Sequence, residues 1–152
     1  MIESDLDLIL EVVLMDTKGS PFKVIGINKK WATTKTRSSS RLYTNKNYKN
    51  AWEFVRLVFK CKALEQNVKV NHKERYVLTY SFGSGLMRND YDAFIKQIGD
   101  ELQGICYTDD SKICFGGFLK TKGNEPLTVR VHRVPAGYRI KNVSIKYELE
   151  KG

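Results

Sequence analysis

The sequence predicts a single domain in which two helices pack on one β-sheet, of the α+β or mixed α/β class. Two segments carry apolar residues at the three- and four-residue spacing of amphipathic helices, and four or five others are apolar or alternating as strands are. The 152 residues suit one hydrophobic core, and 41% hydrophobic residues are too many for an intrinsically disordered chain. We therefore expect residues 1–152 to form one domain.

The first predicted element is a buried strand over residues 6–15, which are apolar and rich in β-branched side chains. A polar stretch from Asp16 to Asn47 follows, in which Gly, Pro, Ser, Thr and Asn favour a long basic loop. Structureless loops of this length are usually functional or disordered. The bases of this loop are therefore candidates for contact with a ligand.

The first helix is predicted over residues 48–64, because four apolar side chains recur there on one face: Tyr48, Trp52, Val55 and Phe59. Either Thr44 or Asn47 offers a side-chain oxygen that could cap its first turn. The helical spacing makes Trp52 and Phe59 core residues. Trp31 and Tyr43 lie outside this pattern and beside bases, so they are better candidates for stacking on nucleic-acid bases.

The second half of the chain predicts a strand within residues 69–82 and a breaker at 83–85. The second helix is predicted within residues 87–104 and ends at Gly104, a residue suited to a left-handed cap. Residues 109–134 predict two strands joined by a turn around 122–126, and the alternating run 142–150 predicts one more edge strand. The buried stripe of the second helix comprises Phe94, Ile95, Ile98 and Leu102.

Positive charge is concentrated in one part of the chain. The net charge is +9, yet residues 1–16 carry five acids and no base, whereas residues 17–62 carry twelve bases and one acid. A local field of this strength favours a polyanionic partner, because neutralising phosphates releases the counterions that nucleic acid condenses. The alternative is a solubilising surface without a specific partner.

The chain carries no sequence signal for export or for a membrane. No run of eighteen apolar residues occurs, and the first ten residues are acidic where a secretory signal would be basic. The three cysteines, Cys61, Cys106 and Cys114, lack the spacing of a zinc site or a disulfide framework. We expect a protein of the reducing cytoplasm that has no membrane partner.

Acidic residues gather around the second helix, together with one lysine. Asp90 and Asp92 stand where the helix would begin, and Lys96 and Asp100 follow at successive turns of one face. Asp109 and Asp110 come just after the helix. Carboxylate oxygens are the ligands that Mg²⁺ prefers. A basic protein with such a cluster has the composition of a metal-dependent nuclease, in which bound cations activate water and stabilise the departing oxygen.

Structural roles remain open for each of these acids. Asp90 could cap the helix, Asp92 could favour its dipole, and Asp109 and Asp110 could shape a turn. An exposed pair between Asp92 and Lys96 would add only a few tenths of a kcal/mol to the helix, so stability does not require this lysine. A lysine beside metal-binding carboxylates can instead contact the scissile phosphate.

Two histidines are the other titratable candidates. His72 and His132 each stand alone in a strand-like segment, so a surface or structural role is favoured over a general base or metal ligand.

The residues of this cluster resemble those of the RusA-type Holliday-junction resolvases. The stretch RNDYDAFIK at 88–96, then Asp100, then TDD at 108–110, is similar to that family's pattern of D-x-D-N-x-x-K followed about twenty residues later by D-D. The similarity extends upstream, where Asn28 to Trp31, the basic loop, a tyrosine before the helix and a tryptophan inside it look like the family's N-terminal half. The resemblance covers roughly residues 22–122.

The resemblance implies specific roles for the cluster. Asp90, Asp92 and Asp110 would be catalytic carboxylates that bind Mg²⁺, with Mn²⁺ as a possible substitute, and Lys96 would face the phosphate. Asp100 and Asp109 are weaker candidates. The implied mechanism is hydrolysis of a phosphodiester by in-line attack of a metal-activated water, with Lys96 neutralising charge on the transferring phosphoryl group.

The resemblance also implies the substrate, the fold and the assembly. A four-way DNA junction is cut by paired nicks, so two acidic clusters from two chains are needed, and a C₂ homodimer follows. The expected architecture is an α+β fold with a single mixed β-sheet and two main helices. Two alternatives are a basic nucleic-acid-binding protein without catalysis and a related nuclease for other branched or flap DNA. Six bases are the DNA-binding candidates: Lys29, Lys30, Lys35, Arg37, Arg41 and Arg88.

Overall fold

A four-stranded β-sheet is the framework of the computed structural model, which describes residues 6–22, 31–35, 40–44, 46–70, 73–85 and 95–152. In chain order the elements are strand β1 (Asp7–Val13), strand β2 (Trp31–Lys35), strand β3 (Ser40–Thr44), helix α1 (Lys46–Glu65), strand β4 (Tyr76–Gly83), helix α2 (Ile95–Leu102), strand β5 (Ile113–Thr121) and strand β6 (Thr128–Arg133). A short 3-10 turn, Asp110–Lys112, directly precedes β5.

The sheet is mixed, with strand order β1-β6-β4-β5. Strand β6 runs antiparallel to both β1 and β4, whereas β4 and β5 are parallel. A parallel pair requires a crossover connection, and α2 lies in it. The α+β class, the mixed sheet and the two helices are therefore confirmed, and a separate two-stranded sheet, β2–β3, is added to them.

The hydrophobic core lies between the two helices and one face of the sheet. All four side chains of the stripe predicted on α1, Trp52 and Phe59 among them, are buried, as expected. Alternate residues of β1 and β4, such as Leu10 and Leu78, belong to the same cluster because side chains of a strand point to one face at every second position. On α2, Ile98 and Leu102 are both 0% exposed, which confirms the part of its predicted stripe that the structure describes.

The ends of the helices agree only in part with the prediction. Gly104 follows α2 with a φ of +80°, the left-handed conformation predicted for its cap. Asn47 lies inside the first turn of α1, which begins at Lys46, so the prediction of Asn47 as the N-cap is wrong. Strand β4 begins only at Tyr76, in the alternating second half of its predicted segment.

The predicted long loop between Asp16 and Asn47 contains regular structure. Strands β2 and β3 form an antiparallel hairpin in which Trp31 pairs with Thr44 and Lys35 with Ser40. The prediction of a loop is therefore wrong for 31–35 and 40–44. Threonine and aromatic residues favour strands, and this preference outweighs the competing hydrogen bonds of polar side chains that suggested a loop. The stretches 23–30 and 36–39 lie outside the described residues.

The predicted edge strand at 142–150 is absent. Residues 134–152 are all described, and none of them forms a helix or strand. Ile145, Tyr147 and Leu149 are 50%, 83% and 91% exposed. Alternation gives a segment two different faces, but a strand also needs a neighbouring strand to pair its backbone groups, and this segment pairs with no strand among the described residues.

The three cysteines form no disulfide bond. Cys61, Cys106 and Cys114 are all free thiols. Burial raises the pKa of Cys106 to about 12, so this thiol stays protonated and unreactive at neutral pH.

Within the part of the chain that the structure describes, no helix is both long and apolar enough to cross a membrane.

Candidate active site

The crossover from β4 to β5 brings together residues that are distant in sequence. Lys96 lies in the first turn of α2, and Asp110 opens the 3-10 turn that leads into β5. Because β5 is parallel to β4, the chain must return alongside α2 after the left-handed turn at Gly104. This return places Asp110 beside Lys96, fourteen positions away along the chain.

The Lys96 ammonium group binds two carboxylates at once. Its Nζ atom donates to Asp100 Oδ1 at 2.9 Å and to Asp110 Oδ2 at 3.0 Å. The side chains of Lys96, Asp100 and Asp110 are 62%, 38% and 37% exposed, so this cluster is open to solvent and to a ligand. The hydrogen bonds to Asp100 and Asp110 raise the pKa of Lys96 above its usual value. The lysine is therefore a permanent cation in this cluster.

Asp109 and Asp110 are neighbours with different contacts. Asp109 is the N-cap of the 3-10 turn, and its carboxylate accepts the backbone N–H of Ser111 at 2.8 Å. This hydrogen bond lowers the pKa of Asp109. Asp109 thus has the turn-shaping role that the sequence left open, whereas Asp110 contacts Lys96.

A buried tyrosine anchors the core-facing side of helix α2. Tyr107 is 0% exposed, and its hydroxyl group donates to the carbonyl oxygen of Gly99 at 2.6 Å. Burial strongly raises the pKa of this phenol, so it remains a neutral donor. Ile98 and Leu102 anchor the same face of the helix in the core. These contacts leave Lys96 and Asp100 on the solvent side.

The C-terminal end of β4 is fixed by close backbone contacts. The amide of Gly83 donates to the carbonyl oxygen of Glu125 at 3.0 Å, and that of Gly85 donates to Gly123 at 2.7 Å. A Cβ atom at Gly85 would lie 2.8 Å from the carbonyl oxygen of Gly123, so glycine is needed for this approach. The predicted breaker at 83–85 thus ties the end of β4 to the turn before β6.

The structure locates only some of the predicted site residues. It brings Lys96 and Asp110 together, and it adds Asp100 to them. Lys35 and Arg41 lie in the β2–β3 hairpin, near the end where Lys35 pairs with Ser40. Six predicted site residues lie outside the described residues: Asp90, Asp92, Lys29, Lys30, Arg37 and Arg88.

The donor atoms present suit a hard divalent cation. Asp100 and Asp110 supply carboxylate oxygens that already converge on one cation, the ammonium of Lys96. Among the described residues, no group of three or more acidic, histidine or cysteine side chains is arranged to hold a metal ion.

His132 lies in the sheet, as the sequence favoured for a structural histidine. It pairs with Leu8 of β1 and Val77 of β4, and burial lowers its pKa below 6.5. Its buried Nδ1 atom has no hydrogen-bond partner among the described residues, so the hydrogen-bonding capacity of this ring nitrogen is unused. His72 lies outside the described residues.

Sequence reasoning missed a second group of polar residues between α1 and α2. They surround a cleft of about 480 Å³ lined by Tyr48, Lys49, Trp52, Glu53, Arg56, Gln97 and Glu101. The available signal was weak: Gln97 and Glu101 are four residues apart and therefore share a helix face, next to the face of Lys96 and Asp100.

Comparison with known families assigns most of the chain. The family model described as endodeoxyribonuclease RusA matches residues 21–132, a range that includes Lys96, Asp110 and the β2–β3 hairpin. The comparison with curated proteins returns no match.

Proposed function

The chain belongs to the endodeoxyribonuclease RusA family, whose match spans residues 21–132 of 152, and on this premise we propose that it resolves Holliday junctions by paired symmetric nicks. Members of the family are endonucleases that act on Holliday junctions, and they generally depend on a divalent metal. The setting we propose is recombination and repair of DNA in the cytoplasm.

One observation carries the proposed chemistry: Lys96 Nζ lies 3.0 Å from Asp110 Oδ2 although neither residue is near the other in sequence. Asp110, Asp90 and Asp92 would hold Mg²⁺, or Mn²⁺ in its place. The chemistry that a cation would supply there is activation of water and stabilisation of the departing oxygen. Lys96, a permanent cation, would neutralise charge that develops on the transferring phosphoryl group.

The basic region supports binding of the DNA backbone. Residues 17–62 carry twelve bases and one acid, and they include the β2–β3 hairpin with Lys35 and Arg41. We assign Lys29, Lys30, Lys35, Arg37, Arg41 and Arg88 to the DNA-binding surface. Neutralising phosphates there would make binding strongly dependent on salt.

A C₂ homodimer follows from the substrate. A four-way junction has approximate two-fold symmetry and is resolved by one nick in each of two opposing strands, whereas one chain offers one cluster around Lys96 and Asp110. Two chains related by a two-fold axis would present two such clusters to the opposing strands.

The test is cleavage of a mobile synthetic four-way junction labelled on each strand in turn. With Mg²⁺ or Mn²⁺ we expect nicks at symmetric positions on opposing strands, and with EDTA we expect binding without product. Forked, flap and linear duplexes of the same sequence are the matched controls. Equal cleavage of flaps would indicate a different nuclease, and binding without product in either metal would indicate a non-catalytic DNA-binding protein.

An Asp92→Asn variant tests the assigned carboxylates in the same assay. The change removes one negative charge from the cluster and leaves the basic region unchanged, so junction binding should persist while cleavage is lost. A nicking rate equal to that of the parent would exclude Asp92 from the site.

A further inference from the structure

A chain of hydrogen bonds links α1 to α2 beside the candidate active site. The Tyr48 hydroxyl donates to Gln97 Oε1 at 2.7 Å, and Gln97 Nε2 donates to Glu101 Oε1 at 2.7 Å. Arg56 continues the chain, with its Nη1 atom 3.7 Å from Glu101 Oε2. Two helices are thus joined through side chains whose donors and acceptors match.

Burial strengthens this connection. Tyr48 is 3% exposed, and burial together with the charges of Glu101 and Asp100 raises its pKa to about 12, so the phenol is a neutral donor at every working pH. Burial also raises the pKa of Glu101. The hydrogen bonds of this chain are partly buried, so solvent replaces them less readily than fully exposed ones.

Arg56 fixes the other end of the same helix. Its Nη1 atom donates to the carbonyl oxygen of Glu101 at 2.8 Å, and its Nη2 atom donates to that of Gln103 at 3.2 Å. Glu101 lies in the last turn of α2, where carbonyl groups lack partners within the helix, and Gln103 follows directly after that turn. Helix α2 is therefore held at its last turn by Arg56 and at its first turn by Tyr48.

The contact with Tyr48 is made by the residue next to Lys96. Gln97 and Glu101 occupy one face of α2. Lys96 and Asp100 each precede one of these residues by one position, so they occupy the adjacent face. Any rotation of α2 about its axis that breaks the bond between Tyr48 and Gln97 must also move Lys96 relative to Asp110.

We propose that Tyr48 and Gln97 are positioning residues, which hold α2 at the rotation that brings Lys96 to Asp110. The inference rests on the proposed function for the role of Lys96. Side chains lie roughly 5 to 6 Å from a helix axis, so a rotation of about 10° displaces them by about 1 Å. A misplacement of about 1 Å at a catalytic group can lower a rate about 10²-fold.

The first test is Tyr48→Phe, with Tyr76→Phe as the matched control. Both changes remove one hydroxyl group from a tyrosine at most 3% exposed and keep the ring, but Tyr76 donates to Glu74, two residues before it, rather than to α2. We expect the single-turnover cleavage rate of Tyr48→Phe to fall roughly 10- to 100-fold with an unchanged Kd for the junction. The control should cleave as the parent does.

The second test exchanges the two partners on α2. Gln97→Glu keeps the acceptor for Tyr48 but removes the N–H group that donates to Glu101, and it places two carboxylates side by side. Adding Glu101→Gln restores a donor and an acceptor in the reversed order, with the net charge of the parent. The single change should lower the rate, and the double change should recover most of it.

A spectroscopic measurement reports on Lys96 without cleavage. In the parent, the hydrogen bonds to Asp100 and Asp110 should slow exchange of the Lys96 ammonium protons enough to give a resolved ¹H–¹⁵N signal. The signal should be lost in Tyr48→Phe and retained in Tyr76→Phe. A parent that does not cleave would overturn the proposed function alone. A resolved signal and a full rate in Tyr48→Phe would overturn this inference.

Discussion

Replacement of Tyr107 by phenylalanine tests how the site helix is anchored. The change removes one oxygen atom at a residue that is 0% exposed and ends the 2.6 Å hydrogen bond to the carbonyl group of Gly99. A net hydrogen bond contributes about 0.5–1.5 kcal/mol, and a buried group left without a partner costs about 1–3 kcal/mol. We expect a loss of about 1–2 kcal/mol in the free energy of unfolding, a decrease in Tm of about 2–8 °C for a chain of this size.

Urea unfolding followed by circular dichroism measures this loss, and Tyr76→Phe again provides the comparison. The Tyr76 hydroxyl lies 3.4 Å from Glu74 Oε2, a long contact that should contribute little, so its removal should cost less than about 0.5 kcal/mol. If both variants lose the same stability, the buried hydrogen bond is not what anchors α2. An unchanged m-value is required for the comparison, because it shows that the variants expose the same surface on unfolding.

Three further predictions concern charge. Lys96→Ala should lower junction cleavage roughly 10²- to 10³-fold while affecting binding less, and an unchanged single-turnover rate would rule out a phosphate contact. Combined alanine replacement of Lys35, Arg37 and Arg41 should reduce the slope of log K against log salt by about 2 to 3, and the parental slope in this variant would refute their assignment. Burial lowers the pKa of His132 below 6.5 in the folded state, so the unfolded chain binds the proton first and stability falls as pH drops below that value. The decrease in Tm between pH 7.5 and pH 5.5 should therefore be smaller in His132→Gln, and equal decreases in both proteins would contradict the linkage.

The core was predictable because burial imposes a period on the sequence. The stripe on α1 and the alternation in β4 both place apolar residues where packing requires them, and Gly104 marks a conformation that other residues avoid. The β2–β3 hairpin was missed because its strands are mostly polar, and polarity alone does not separate a loop from a strand whose threonines favour extended backbone. The opposite error was made at residues 142–150, where alternation predicted a strand. Alternation alone does not produce a strand unless a neighbouring strand is there to pair with it.

The site was predictable to different degrees for different contacts. The closeness of Lys96 and Asp110 was expected from the resemblance to a family, and the geometry of the crossover supplies its physical cause. The bond between Tyr48 and Gln97 could not be anticipated, because it depends on how α1 and α2 pack against each other, and neither helix alone encodes that angle.

The two adjacent carboxylates at the start of β5 show how neighbouring acids acquire separate roles. Asp109 has extended backbone, with φ −152° and ψ 145°, and its side chain turns back to the amide of Ser111. Asp110 is the first residue of the turn that this cap stabilises, and its carboxylate projects towards Lys96. An N-cap needs only an oxygen acceptor, which asparagine or serine also offers, whereas a metal ligand facing a phosphate needs the charge. Under the proposed function, the requirement for negative charge therefore falls on position 110, and position 109 contributes by fixing the direction of the Asp110 side chain.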